Sequence, residues 1–220
     1  MTQDQPIHLT AALVRHAARS FAVYNAAIED VTPLIRGMAN AKRTRGELFA
    51  NCSGMQVEQI VRLGRRESMR RKMSGAAPLR QIVIDYLQKI AWPQWARNGE
   101  QAVAHISKVL SSWANDDDLA VVAFVQINRK VEDRDDHQPR ESDIRESGQI
   151  EMDAKLIFGI HHPWTYDAAN HAESLWQLLV LKNANGRSRF TIDLYWDRET
   201  HSIYDSQLDY QQARIARGYP

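Results

Sequence analysis

Apolar residues spaced three and four positions apart run through the first half of the chain and predict a series of helices. The first spans about 10–29, and a short second one follows Thr32. Further helices are predicted over about 53–72, 79–90 and 103–113, and the apolar stripe over 79–90 is the most regular of them. The N-terminal half should therefore form a helical layer.

Near residue 118 the apolar period changes from three or four to two, which is typical of strands. Alternating positions predict one strand over about 119–131 and its antiparallel partner over about 150–160. Three more antiparallel strands are predicted within 174–206, because Asn and Gly at 183–186 tolerate the backbone of a tight reversal.

Helices followed by strands favour an α+β fold over a doubly wound parallel sheet. We predict an N-terminal helical layer packed on a C-terminal, mostly antiparallel, five-stranded sheet. The chain is interpreted as one domain over residues 1–220, with a helical part at 1–115 and a sheet part at 116–220. The N-terminal helices are expected to cover the apolar side of the strand that carries Phe190, Ile192 and Leu194.

Composition narrows the class of protein. With 220 residues, 44% of them hydrophobic, the chain can bury a sizeable core. No uninterrupted apolar stretch is long enough to cross a membrane, and the first residues lack the basic start and apolar run of a secretion signal. The single cysteine, Cys52, excludes an internal disulfide. We therefore expect a soluble, cytoplasmic protein without a membrane partner.

The net charge of +1 conceals two oppositely charged halves. Residues 1–110 contain 16 Lys and Arg against 8 Asp and Glu, whereas residues 111–220 contain 12 against 19. The two halves should attract each other, either to dock within the fold or to serve different partners.

The acidic segment 132–149 holds seven acidic and three basic residues and has little to bury, so it is expected to be a mobile excursion between two strands. Long, poorly buried loops are often functional. Our leading hypothesis is a non-enzymatic protein-binding module of the immunity, antitoxin or chaperone-like kind, whose protein partner the sequence does not name. Its candidate binding residues are Asp133, Asp135, Asp136, Asp143 and Glu146.

A basic helix supports an alternative hypothesis, a nucleic-acid-binding protein. Six cations over eleven residues could neutralise several backbone phosphates, although the acidic second half would repel nucleic acid unless it faces away. The candidate residues are Arg62, Arg65, Arg66, Arg70, Arg71 and Lys72.

A metal-assisted hydrolase is the third hypothesis, because imidazoles and carboxylates are common zinc and iron ligands. The spacing argues against it, since adjacent side chains at a strand end point to opposite faces. We find no G-x-x-x-x-G-K-[ST] phosphate loop and no G-x-S-x-G elbow, so no cofactor and no resident metal are expected. The residues concerned are His161, His162, Asp167 and His171.

Overall fold

A computed structural model describes residues 20–24, 54–144 and 148–219. The first predicted helix lies mostly outside these residues, and the second lies outside them. Cys52 and Glu146 also lie outside them. In the described part, one seven-stranded sheet is flanked by helices, and its strand order is β2-β3-β1-β4-β5-β6-β7.

The strands contribute unequal lengths to this sheet, from three to nine residues. Their bounds are Ser20–Tyr24 (β1), Gln81–Ile84 (β2), Ala120–Val125 (β3), Leu156–His161 (β4), Leu175–Asn183 (β5), Phe190–Asp197 (β6) and Ser202–Tyr204 (β7). The α-helices are Val57–Met73 (α1), Gly99–Asp116 (α2), Gly148–Asp153 (α3) and Gln207–Ala216 (α4).

The sheet is mixed rather than wholly antiparallel. β2 pairs with β3 in parallel, and all other neighbouring strands pair antiparallel. β1 lies between β3 and β4, so the predicted direct pairing of the strands at 119–131 and 150–160 is wrong. The strands within 174–206 pair as the turn residues predicted.

Two predicted helices are strands where the structure describes them. Ser20–Tyr24, inside the predicted helix at 10–29, is the strand β1. Gln81–Ile84, inside the predicted helix at 79–90, is β2, and a 3-10 helix at Leu87–Lys89 follows it. Ile82, Val83 and Ile84 are β-branched and favour an extended backbone. The next buried apolar residues, Leu87 and Ile90, lie in the 3-10 helix and at its end, not on the face of an α-helix.

One face of the sheet is covered by α1 and α2. The core on this side joins the buried faces of both helices to alternate residues of β3 and to Ile157 of β4. Gly64 of α1 lies against the indole of Trp113 in α2, so close that a Cβ atom at residue 64 would come within 2.4 Å of the ring. This small residue lets the two helices approach.

The opposite face carries a second core cluster, which includes Phe124, Phe158, Leu178 and Leu194. The apolar side of β6 belongs to this cluster. The expectation that the N-terminal helices cover that side is therefore wrong for α1 and α2, which pack on the first face.

The acidic segment is folded over its described residues, 132–144. Its ends are joined by an antiparallel bridge between Ile127 and Ile144 and by a hydrogen bond from the Asn128 N–H to the Asp143 carbonyl, 2.6 Å long. Ile144 within the segment and Val131 just before it are buried. The described residues therefore form a folded loop with an apolar anchor, not the excursion with little to bury that was predicted.

Among the helices that the structure describes, none is both long enough and apolar enough to cross a membrane.

Candidate functional site

Four strands, β2, β3, β4 and β6, run in the same direction, so their carboxyl ends meet at one edge of the sheet. In open α/β sheets, ligands bind outside the carboxyl ends of the strands. The residues that directly follow these four strands are Asp85, Gln126, His162 and Arg198.

Asp85 and Gln126 emerge from the two parallel strands. The register pairs Ile84 with Ala123, so both residues leave the sheet at the same end, and both are exposed. Gln88 fixes the backbone of Gln126 from both sides. Its Oε1 accepts from the Gln126 N–H at 3.1 Å, and its Nε2 donates to the Gln126 carbonyl at 3.5 Å.

The Asp85 carboxylate is of the kind that holds Mg²⁺, which proteins usually bind through one or two carboxylates together with substrate phosphates. Among the residues that the structure describes, no three or more potential metal ligands cluster together. A single exposed carboxylate such as that of Asp85 can take part in a Mg²⁺ site that a phosphate ligand completes.

Beyond Gln126, an ion pair organises the folded loop at 126–144. Arg134 donates from Nη1 to Asp143 Oδ1 at 2.8 Å, and the Asp143 carboxylate also accepts from the Arg140 N–H at 2.8 Å. Burial opposes the ionisation of Asp143, but these hydrogen bonds outweigh it and lower the pKa of that carboxyl. The loop is thus held beside the candidate site by a partly buried charge pair.

An aromatic stack connects this loop to the end of β4. The Tyr166 ring lies between His137, with ring centroids 4.1 Å apart, and His161, with centroids 5.7 Å apart. The Tyr166 hydroxyl donates to Glu132 at 3.4 Å. His161 is buried, so this stack is a packing feature of the edge.

The four residues of the metal-hydrolase hypothesis do not form a ligand cluster. His162 Nε2 donates to the Glu173 carbonyl at 2.9 Å, which leaves Nδ1 to accept from Thr165 Oγ1 at 2.9 Å. Asp167 is engaged by Asn170. With both ring nitrogens of His162 bonded, this site offers no imidazole pair to a metal.

The acidic candidates are placed differently from one another. Asp143 is buried, whereas Asp133, Asp135 and Asp136 are exposed. Asp136 forms an ion pair with Arg140 at 2.9 Å. Glu146 lies outside the described residues.

Half of the basic candidates on α1 are engaged within the fold. Arg65 pairs with Asp116 at 3.3 Å and with Asp117 at 2.9 Å. Arg70 and Arg71 both pair with Glu67. Their hydrogen bonds, of which the one from Arg70 has the larger effect, lower the pKa of Glu67 to about 2. The other three cations, Arg62, Arg66 and Lys72, are exposed.

Sequence reasoning missed Asp85 and Gln126 because the segment around Asp85 was assigned to a helix. A usable signal was present, since Ile82-Val83-Ile84 is a short β-branched run that ends in an aspartate. Gln126 likewise ends a buried apolar run.

The family comparison decides the class of this chain. Residues 16–205 match the family described as DnaB-like helicase C terminal domain. This chain belongs to that family. The helix α4 lies outside the matched range.

Individual relatives agree with this assignment. The replicative DNA helicase DnaB of Buchnera aphidicola subsp. Acyrthosiphon pisum is 30% identical over 167 residues, which cover 74% of this chain and 36% of the relative. That of Geobacillus stearothermophilus is 32% identical over 149 residues, covering 67% and 33%. The chain thus spans about a third of the length of these curated relatives.

Two solved structures share the fold. A DnaB-like replicative helicase, solved in a study of its interactions with primase, matches with a TM-score of 0.63 and 28% identity over 70% of this chain and 36% of that one. The second structure is an ATPase domain, which matches with a TM-score of 0.63 and 27% identity and covers 70% of this chain and 52% of that one.

Membership in this helicase family overturns the leading sequence hypothesis. The prediction of a non-enzymatic protein-binding module that acts through the acidic segment is wrong. The family match is to a helicase domain, and the structural matches are to a helicase and an ATPase domain. The alternative hypothesis, nucleic-acid binding, agrees better with these relatives.

Proposed function

We propose that this chain works on DNA as the C-terminal domain of a DnaB-like helicase, and that the β2–β3 edge handles the nucleotide that drives this work. The observation that carries the proposal is the position of Asp85, which is exposed directly after β2 and leaves the sheet at the same end as Gln126, the residue after the parallel strand β3. Family membership supports the same class of activity.

Each residue of the edge has a separate task in this proposal. Asp85 would hold Mg²⁺, which neutralises phosphate charge when it is bound. Gln126 presents an exposed amide that can orient a water or a phosphate oxygen, and Gln88 holds its backbone in place. The G-x-x-x-x-G-K-[ST] sequence that cradles phosphates does not occur in the 220 residues. The proposal therefore assigns this chain the metal-holding and water-positioning side of the site.

Binding of a fluorescent ATP analogue, measured by anisotropy with and without Mg²⁺, tests the role of Asp85. We expect binding to require Mg²⁺ and the Asp85→Asn variant to bind about tenfold more weakly or worse, equivalent to at least about 1.4 kcal/mol. Asp118→Asn is the matched control, because Asp118 is exposed, precedes β3 at the opposite edge, and has a positive φ of 49° that Asn also tolerates.

Nucleotide binding that is independent of Mg²⁺, or that Asp85→Asn and Asp118→Asn reduce equally, would contradict the role of Asp85. Absence of nucleotide binding in the unaltered protein would contradict the nucleotide part of the proposal as a whole.

Contact with DNA phosphates is assigned to the exposed cations of α1, which are Arg62, Arg66 and Lys72. Arg65, Arg70 and Arg71 are assigned a smaller part in this role, because acidic residues of the fold already pair with them and offset part of their charge.

The organisation predicted from the sequence is retained in the proposal. The chain is treated as one domain over residues 1–220, since one sheet takes strands from both its first and second halves. Work on DNA takes place in the compartment that holds it, so the predicted cytoplasmic location is also kept.

A further inference from the structure

The 126–144 loop, which begins at Gln126, lies against a strand that does not pair with its own. The loop leaves β3, and β1 separates β3 from β4 in the sheet. Pro139, a buried residue of the loop, nevertheless packs on Gly159 of β4. A Cβ atom at residue 159 would lie only 2.9 Å from the Cβ of Pro139. The missing side chain at Gly159 therefore lets the loop rest on β4.

The aromatic stack is a second contact between this loop and β4. The Tyr166 ring is nearly parallel to that of His137 in the loop, with 17° between the planes, and to that of His161 in β4, with 9°. His161 is buried, and the other two rings are half-buried. Because Tyr166 lies between one residue of the loop and one of the strand, its ring joins the two.

The loop backbone is strained at the residue that enters this stack. His137 has a positive φ of 47°, a left-handed conformation that residues other than glycine adopt at a cost. Its Nδ1 is buried and has no hydrogen-bond partner among the residues that the structure describes. Such a backbone persists only where its surroundings impose it, and strained residues cluster at functional sites. The contact with Tyr166 provides this constraint.

Stability alone explains the stack poorly. The strain and the unpaired nitrogen of His137 both cost stability, and the cost is comparable with what a stacked ring pair contributes. The position that the stack imposes on the loop is therefore the better explanation for it.

The position of the loop in turn determines where Gln126 lies. The two ends of the loop meet directly after this residue, through the bridge between Ile127 and Ile144 and the hydrogen bond from the Asn128 N–H to the Asp143 carbonyl. A loop that shifts on β4 therefore also shifts the backbone next to the Gln126 amide. Displacements of about 1 Å can weaken a site strongly even when they begin far from it.

We infer that Tyr166 is a positioning residue for the nucleotide site, because it holds the 126–144 loop on the end of β4 and thereby fixes Gln126. Tyr166 acts through the loop and not by contact with the nucleotide. The inference rests on the proposed function and deepens it, because it names a residue outside the β2–β3 edge on which the geometry of that edge depends.

Anisotropy of a fluorescent ATP analogue with Mg²⁺ tests this role in the full chain. We expect Tyr166→Ala to weaken binding about tenfold, because the loop is no longer held. Tyr166→Phe keeps the ring and loses the hydroxyl, so it should bind as the unaltered chain does. Trp164→Ala is the matched control, since it also removes a large ring from the segment after β4, but that ring is 37% exposed and lies outside the stack.

A second variant disturbs the same loop from its other contact. Gly159→Ala places a methyl group against Pro139 and should displace the loop from β4, so it should weaken binding as well. Because either change already releases the loop, the double variant with Tyr166→Ala should bind about as weakly as either single variant. Urea unfolding checks that every variant is folded under the conditions of the assay.

Hydrogen exchange gives a readout that does not require nucleotide. We expect the amides of residues 128–144 to exchange faster in Tyr166→Ala and in Gly159→Ala, and to be unchanged in Trp164→Ala. Equal exchange in Tyr166→Ala and the unaltered chain would show that the stack does not hold the loop, which would overturn the inference.

The outcomes separate the inference from the proposed function. If the unaltered chain binds the nucleotide and Tyr166→Ala binds it equally well, the positioning role is wrong while the proposed function stands. If Tyr166→Phe loses as much affinity as Tyr166→Ala, or if the effects of Tyr166→Ala and Gly159→Ala add, the stack does not act through the loop and the inference is overturned. If the unaltered chain binds no nucleotide, both fail.

Discussion

The buried carboxylate of Asp143 is the clearest case of one side chain organising a loop next to the candidate site. Only 5% of the residue is exposed, and it binds Arg134 and the backbone of Arg140 at once. Because these donors outweigh the cost of burial, its pKa is lower in the folded protein than in the unfolded chain. Its charge therefore stabilises the loop that borders Gln126.

We expect Asp143→Asn to lower the free energy of unfolding at pH 7 by about 2 kcal/mol, because it leaves the partly buried Arg134 charge with only its longer pairing to Asp136, at 3.6 Å. A carboxyl group whose pKa is lower in the folded protein stabilises the fold at pH values above its unfolded pKa of about 4. This stabilisation is lost as the pH falls through the folded pKa. The difference in free energy of unfolding between the unaltered chain and Asp143→Asn, measured with urea, should therefore shrink below about pH 4. Asp133→Asn, an exposed control, should change stability by less than about 0.5 kcal/mol. Equal effects of the two variants would contradict this role for Asp143.

At the scale of elements, the contact between α1 and α2 depends on a glycine. Alanine normally suits a helix interior better than glycine by about 1 kcal/mol. At Gly64, however, a Cβ atom would lie 2.4 Å and 2.5 Å from two ring atoms of Trp113, which is 2% exposed and cannot move aside without disturbing the core.

Gly64→Ala should therefore destabilise the protein by about 1–3 kcal/mol, the usual cost of overpacking, despite the gain in helix propensity. Chemical denaturation measures the change. Gly148→Ala is the control, since no atom lies within 4 Å of a Cβ placed at the start of α3. A Gly64→Ala variant as stable as the unaltered chain would show that the two helices can separate without cost.

The pattern of apolar residues predicts some elements of this fold and misses others. The amphipathic helices α1 and α2 were predicted because their stripes face one core, and the turn residues at 183–186 correctly predicted the β5–β6 hairpin. β2 was missed because a short apolar run at a parallel pairing lacks the alternation that marks a half-buried strand. β1 was missed because its pairing partners, β3 and β4, are distant in the sequence.

At the scale of the whole molecule, the opposite charges of the two halves are partly used inside the fold. Arg65 pairs with Asp116 and Asp117, and Arg80 lies 3.6 Å from Asp118. The first interpretation of the charge asymmetry, docking within the fold, thus holds at this contact. The candidate site could not be predicted in the same way, because Asp85 and Gln126 are 41 positions apart and leave the sheet at the same end only because β2 and β3 pair in parallel.

The affinity for a fluorescent ATP analogue with Mg²⁺, measured with and without DNA, tests most directly whether this chain works on DNA through a nucleotide at the β2–β3 edge. We predict that DNA raises this affinity in the unaltered chain and in Asp118→Asn, and that Asp85→Asn loses both the binding and the response to DNA. An affinity that DNA leaves unchanged, or that Asp85→Asn retains, would contradict the account.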